Sequence, residues 1–499
     1  MTAKTAIFLT ATLAACFAAS PSAFASVNIS SAPTKNVVCS AGACAPTAKG
    51  AILNVTDLQN LLASSDVTVN TGSGAVTIEI TAPLAWSSAH HLTLNADFNV
   101  SIKAAVAVEG TAALTVNYNN GGLGGQFQFF PGGKIDFWDT ASSLSVNGQS
   151  YVLVNDLATM AGSAASSPSA AIAFAKDYDA APDGTYQNAV AASGFGGVLE
   201  GLGHTVSNLA IQGSSNASVG MFDRPLGAAV FRDLSLANVN IAANRGVAGA
   251  FMGQGGGAAF FGVSSSGSIG GAIDNGGIAG QMSGGSIANS HSSVTIGGNP
   301  RVAVIDGGLV AEGVATIANS SFTGHITSGA QSTVGGLTGI LQGRIVQSFS
   351  TGSIDTHGSV GIGGLAGAVT NEGAITDSYS MGEVTAHHYS TEGGMIGAGS
   401  GSVSTSYSTT QVNFSQQARQ KSRVGGFAGH YLGGTLASDY WDIDTSLQSE
   451  PCANPCHAVT GLSDAALKAG LPSGFDPAIW AQSPSINAGY PYLIANPPQ

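Results

Sequence analysis

Three groups of carboxylates stand close enough in sequence to do chemistry together. They are Asp136 with Asp139; Asp177, Asp179 and Asp183; and Asp439, Asp442 and Asp444. Glycoside hydrolysis needs two carboxylates flanking a sugar, so each group is a candidate for polysaccharide processing. The same residues suit turns, where an Asp side chain caps backbone N–H groups. Asp177-x-Asp179-x-x-x-Asp183-Gly184 departs from calcium-loop spacing, and no metal site is assigned. His90-His91 and His387-His388 are adjacent pairs, which a strand would point to opposite faces. His204, in Gly203-His204-Thr205, reads as a structural residue beside a turn. The chain has no His-Glu-x-x-His pair and no Gly-x-Ser-x-Gly elbow. No catalytic residue and no cofactor are assigned.

Aromatic residues give a second kind of candidate. Phe349, Tyr379, Tyr407 and Tyr440 fall at one phase of a repeat. Facing outward they would form a glycan-contact stripe, with neighbouring Ser, Thr and Asn bonding sugar hydroxyls. Facing inward they would be a core stack. Cysteines form two local pairs, Cys39/Cys44 and Cys452/Cys456, read as short-loop disulfides of an oxidising compartment. Such small loops pin terminal segments more than they add entropic stability.

The elements that must position these residues are β-type. The 499 residues include 70 Gly, with only 15 Lys and Arg against 28 Asp and Glu, for a net charge of -13. That much Gly disfavours a helical body, and so few cations exclude a nucleic-acid binder. Short runs such as Val76-Thr77-Ile78-Glu79-Ile80 and Leu92-Thr93-Leu94 alternate with period 2. Leu92 and Leu114 stand 22 residues apart, one coil of a solenoid. Further on, a Gly-Gly-apolar-x-Gly phrase recurs from Gly276, Gly335, Gly363, Gly393 and Gly425, with a degenerate copy at Gly307, in steps of 28 to 32 residues. A second phrase, Ile-x-x-Ser-aromatic, follows each copy, as in Ile345-Val346-Gln347-Ser348-Phe349 and Ile375-Thr376-Asp377-Ser378-Tyr379. Coils stacked about 4.8 Å apart would satisfy one another's main-chain groups. At 20 to 30 residues per coil the body would be on the order of 75–110 Å long.

The N-terminus has the pattern of an export signal: Lys4, an apolar run from Ala6 to Ala18, and Ala23-Phe24-Ala25 before Ser26. Leu13-Ala14-Ala15-Cys16 is a competing lipobox pattern, in which Cys16 would be lipidated. No stretch is long and apolar enough for a transmembrane helix.

The repeat resembles the GLUG motif of filamentous-haemagglutinin-like, adhesin-type bacterial exoproteins. Gly363-Gly364-Leu365-Ala366-Gly367 through Ser378-Tyr379-Ser380-Met381-Gly382-Glu383-Val384 carries the likeness, as does Phe195 through Leu209 upstream. The resemblance implies an all-β fold, a right-handed parallel β-helix. The domain reading is 1–25 signal peptide, 26–65 lead-in with a Cys pair, 66–190 N-terminal coils, 191–445 GLUG-type repeats and 446–499 a C-terminal cap. Trp480 to Tyr492 is expected to cover the C-terminal end of the stack. The resemblance implies a non-enzymatic, adhesin-like or surface structural protein presenting one face to glycans or cell surfaces. A polysaccharide lyase or glycosidase is the alternative. An extracellular or cell-surface location is expected, with periplasm or a lipid-anchored outer membrane as alternatives. An outer-membrane transporter is a partner the family implies, although its Asn-Pro-Asn-Leu-type secretion motif is not found here.

Overall fold

A computed structural model describes residues 25–299, 302–414 and 422–498; the expected export signal, up to residue 24, and Cys16 lie outside them. The chain is a parallel β-solenoid of about 14 turns. In the N-terminal coils three inward columns stack in register. Ile29 pairs with Ile80 and Ile80 with Ile102; Leu84 with Val106 and Val106 with Ile135; Leu92 with Leu114 and Leu114 with Leu144. All are buried. Alternation puts every second side chain of each strand into the lumen, so the 22-residue spacing is one coil.

In the repeats each coil has three faces. One coil runs through Thr338–Leu341 on the first face and Arg344–Val346 on the second, then Phe349–Ser350 and Ser353–Gly363 on the third. The two sequence phrases mark the corners. The Gly-Gly phrase turns the chain from the third face to the first, against the next coil. A Cβ on Gly335 would lie 2.0 Å from the Thr338 carbonyl oxygen, and one on Gly336 2.1 Å from that of Gly364. No side chain fits there.

The second phrase turns the chain from the second face to the third. Its Ile residues form an inward column, Ile287–Ile317–Ile345–Ile375. The corner residue is left-handed in each copy, with φ of 50° at Asn289, 47° at Asn319 and Gln347, 48° at Asp377 and 49° at Thr405. The next residue, Ser, makes a ladder between coils. The amides of Ser290, Ser320, Ser348 and Ser378 donate to the Oγ atoms of Ser320, Ser348, Ser378 and Ser406 at 3.1–3.2 Å. Ser406 N–H donates to Asp439 Oδ1, ending the ladder. Each hydroxyl donates in turn to the carbonyl two residues earlier, as Ser348 does to Val346 at 2.8 Å.

Three hydrophobic clusters result. One runs from Val27 to Ala175 with Leu202, a second from Val154 to Val459. The third lies outside the lumen and joins the aromatic column to the C-terminal segment. The first two meet at a buried seam. There His204 Nε2 faces the Ile135 carbonyl at 2.8 Å and Nδ1 faces Asp177 Oδ1 at 3.2 Å.

Two expectations are corrected. About 14 turns at about 4.8 Å each make a stack of roughly 65 Å, shorter than 75–110 Å. The repeat coils use about 30 residues each, and the last part of the chain adds no coil. That part also does not cap the end with Trp480–Tyr492. Residues 450–462 close the last coil: Phe427 N–H donates to the Pro451 carbonyl, and Val459–Leu462 pairs with Asp439–Asp442. The remainder folds back along the side of the stack.

Candidate functional site

The carboxylate groups are engaged in structure. Asp139 accepts from Ala141 N–H and the Thr111 hydroxyl. Asp179 accepts from Ala181 N–H and Asn208, and Asp183 from the hydroxyls of Tyr178 and Tyr186. Asp442 caps the N–H groups of Asp444 and Thr445. Asp136 and Asp177 do meet, but on Lys134 Nζ, at 3.3 and 3.0 Å. The His204 hydrogen bond holds the Asp177 carboxyl well below the usual carboxylate range. These contacts fasten the seam between the two cores. Among the described residues no group of three or more His, Cys, Asp or Glu is arranged to hold a metal ion.

Cys39 is bonded to Cys44 and Cys452 to Cys456. One bridge lies in the N-terminal hairpin and the other in the segment that closes the last coil.

The aromatic column is not an open glycan-contact stripe. Phe349, Tyr379, Tyr407 and Tyr440 pair in register on the outside of the third face. Their neighbours point inward; Ser380 Oγ donates to the buried Gly394 carbonyl. The rings of Phe349, Tyr379 and Tyr407 stack with centroids 4.8 and 5.2 Å apart. All four side chains are buried, because the returning C-terminal segment lays Leu467, Phe475, Trp480, Tyr490 and Leu493 over them. Tyr407 OH donates to the Pro491 carbonyl and Tyr440 OH to that of Ser473. The column is the seat of that segment.

Among the described residues, the two largest of the grooves found lie on the flanks, each of about 750 Å³. The first lies on the first face. There Gln254, Gln281, Glu312 and Ile340 pair with one another in register, and Ser193 and Arg224 occupy the matching places in the two preceding coils, two residues after the bridged Ala191 and Phe222. Bridges join Ala191, Phe222 and Met252, and pairing continues through Ala279, Val310 and Thr338. The outward column is therefore Ser193, Arg224, Gln254, Gln281, Glu312, then Ile340. Five polar side chains rise one coil apart, about 4.8 Å each. Gln281 Nε2 donates to Asp274 and Gln342 Nε2 to Glu312 Oε1, which fixes the amides. Pro225, half-exposed Leu226 and Val314 form apolar margins. Burial pushes Asp274 up to about 6.

These residues escape a reading centred on carboxylates, His and aromatics. A signal for them exists: the residue after the last Gly of each Gly-Gly phrase is Gln281, Ile340, Ala368, Ala398 and His430 in successive copies. Polarity is concentrated at the early end.

The second groove lies beside the aromatic column, where the C-terminal segment stops covering the third face. Its lining includes Phe129, Phe130, Phe261, Asn289, His291 and Asn319, with Asn496 to Pro498 at one end. Burial lowers His291 from its ordinary value.

No protein-family model matches the chain, and no curated protein matches it. Six solved chains match. One, an IgA1 Protease, is 22% identical with a TM-score of 0.38 over 49% of this chain and 20% of that chain. Another, a candidate immunoglobulin A1 protease from Bacteroides ovatus, is 15% identical with a TM-score of 0.33 over 70% of this chain and 92% of that one. The matched region thus spans about a fifth of the first neighbour's length. Likeness at this level contributes nothing to a reading of function.

Proposed function

We propose that the chain is an exported, adhesin-like recognition protein without enzymatic activity, and that its first-face groove binds a glycan laid along the stack. The observation that carries this is the outward column Ser193–Arg224–Gln254–Gln281–Glu312. Hydroxyl, amide, guanidinium and carboxylate groups repeat at the coil spacing, which is comparable to the rise of one unit in an extended pyranose chain. Each offers donors or acceptors to sugar hydroxyls. Leu226 and Val314 supply the apolar margin that a sugar ring face can cover. The carboxylate groups that an enzyme would need are held in turn caps and in the seam.

A glycan array probed with the purified full chain tests the reading. Binding to at least one linear polysaccharide, weakened about tenfold or more by Gln281→Ala, is the expected outcome. Absence of binding to every glycan, or binding unaffected by Gln281→Ala and Gln254→Ala together, contradicts it.

A further inference from the structure

The first-face groove is charged unequally along its length. At its early end the Arg224 side chain is 58% exposed, with Nε 3.8 Å from Asp223 Oδ1. Its terminal nitrogens make no hydrogen bond among the described residues. Asp223 is itself engaged by the Ser193 hydroxyl, which donates to Oδ2 at 2.7 Å. The guanidinium fork is therefore open to a carboxylate, which it can hold through two parallel hydrogen bonds. One coil on, the Gln254 side chain lines the groove and its amide makes no hydrogen bond among the described residues.

The late end offers acceptors. The Gln281 and Gln342 amides give their nitrogens to Asp274 and Glu312, because an ionised carboxylate only accepts. Their carbonyl oxygens remain for a ligand. Burial raises Asp274, its Gln281 hydrogen bond opposes the rise, and the Glu312 charge adds to it. No cation pairs with either carboxylate among the described residues, so the two make one negative end. Arg224, Gln254, Gln281 and Glu312 stand one coil apart. Three coil steps, about 14 Å, thus separate the cation from the anion. Beyond Glu312 the column turns apolar, with Ile340, Ala368 and Ala398 in register.

We infer that the groove takes an acidic heteroglycan, with a carboxylate-bearing sugar on Arg224 and, three sugars on, a sugar without negative charge facing Glu312. This rests on the glycan reading proposed above and adds the ligand's charge pattern to it. Arg224 attracts the acidic sugar. Glu312, with Asp274 behind it, acts against the wrong ligand, because a polymer of uronates alone sets a like charge opposite it. In a glycan that alternates uronate with hexosamine, three steps lead from an acidic sugar to a non-acidic one.

Calorimetric titration of the full chain with three hexasaccharides tests it. They are hyaluronan, which alternates glucuronate with N-acetylglucosamine, uncharged N-acetylchitohexaose, and hexagalacturonate. Hyaluronan is expected to bind at least tenfold tighter than N-acetylchitohexaose, with hexagalacturonate the weakest. Arg224→Gln removes the preference for hyaluronan. Glu312→Gln strengthens hexagalacturonate binding about tenfold, a gain that a misfolded variant would not give. Equal binding of the three, tightest binding of hexagalacturonate, or preferences unchanged in both variants overturns the inference. If Gln281→Ala still weakens binding tenfold in any of those cases, the glycan groove stands without this charge pattern. If none of the three binds, the inference fails, whereas the glycan reading falls only when the whole array is negative.

Discussion

At the residue scale the serine of the second phrase has a defined task. Its hydroxyl accepts a buried main-chain N–H from the neighbouring coil and donates to a carbonyl of its own corner. Removing it by Ser348→Ala strands the Ser320 N–H, a loss of about 1–3 kcal/mol. Tyr379 makes the opposite case, because its hydroxyl is buried without a partner. Tyr379→Phe keeps the stacked ring and removes that polar group, so stability should hold or rise. Thermal unfolding of the two variants beside the parent chain checks both signs. The position of the serine was readable in the sequence as a recurring phrase. Its role was not, because a periodic Ser gives no sign that its partner is the next copy of itself. Asp139, Asp179 and Asp442 were readable as turn residues because each lies within a few residues of an N–H group that it caps; the seam role of Asp177 was not, because His204 and Thr205, which it binds, stand 27 and 28 residues away.

At the element scale the glycine and isoleucine phrases made the coils legible. Their period is the coil, and the register Ile317–Ile345–Ile375 follows it without a slip. The C-terminal segment was legible only as an aromatic, proline-rich cover. Its place was not, because its anchors are single contacts far apart in sequence, such as Trp480 to Asp377 and Asn496 to Ser320. The aromatic column likewise carried no mark of its cover. Inward and outward positions differ by one residue in a strand, and only the returning segment decides whether an outward ring is wet. Truncation after residue 462 should uncover Phe349, Tyr379, Tyr407 and Tyr440. The expected outcome is a gain of fluorescence from an apolar dye and concentration-dependent association, as exposed apolar patches promote. A truncated chain that stays monomeric and dye-negative would show that the segment is not the cover.

At the scale of the whole molecule, buried acids couple the stack to pH. Burial pushes Asp306 and Asp439 up to about 7 and Glu392 up to about 8, against roughly 4 in an unfolded chain. The folded chain therefore holds more protons across that window. Its stability is greatest at the acid end and falls as pH rises from about 4 to about 8. Asp177 runs the other way: its lowered value gives stability that is present above about pH 4 and lost in stronger acid. Melting should be highest in mildly acidic buffer, and Asp306→Asn should flatten the decline toward neutral pH. A melting temperature that instead climbs from mildly acidic to neutral pH would show that these acids ionise without cost.

The function proposed for the molecule rests on one flank of this stack. Hydrogen exchange of the full chain, with and without a bound polysaccharide, tests it most directly. The prediction is added protection concentrated in Met252–Gly255, Ala279–Met282 and Val310–Gly313, the strands under the polar column. Protection confined to other faces, or none at saturating polysaccharide, would contradict it.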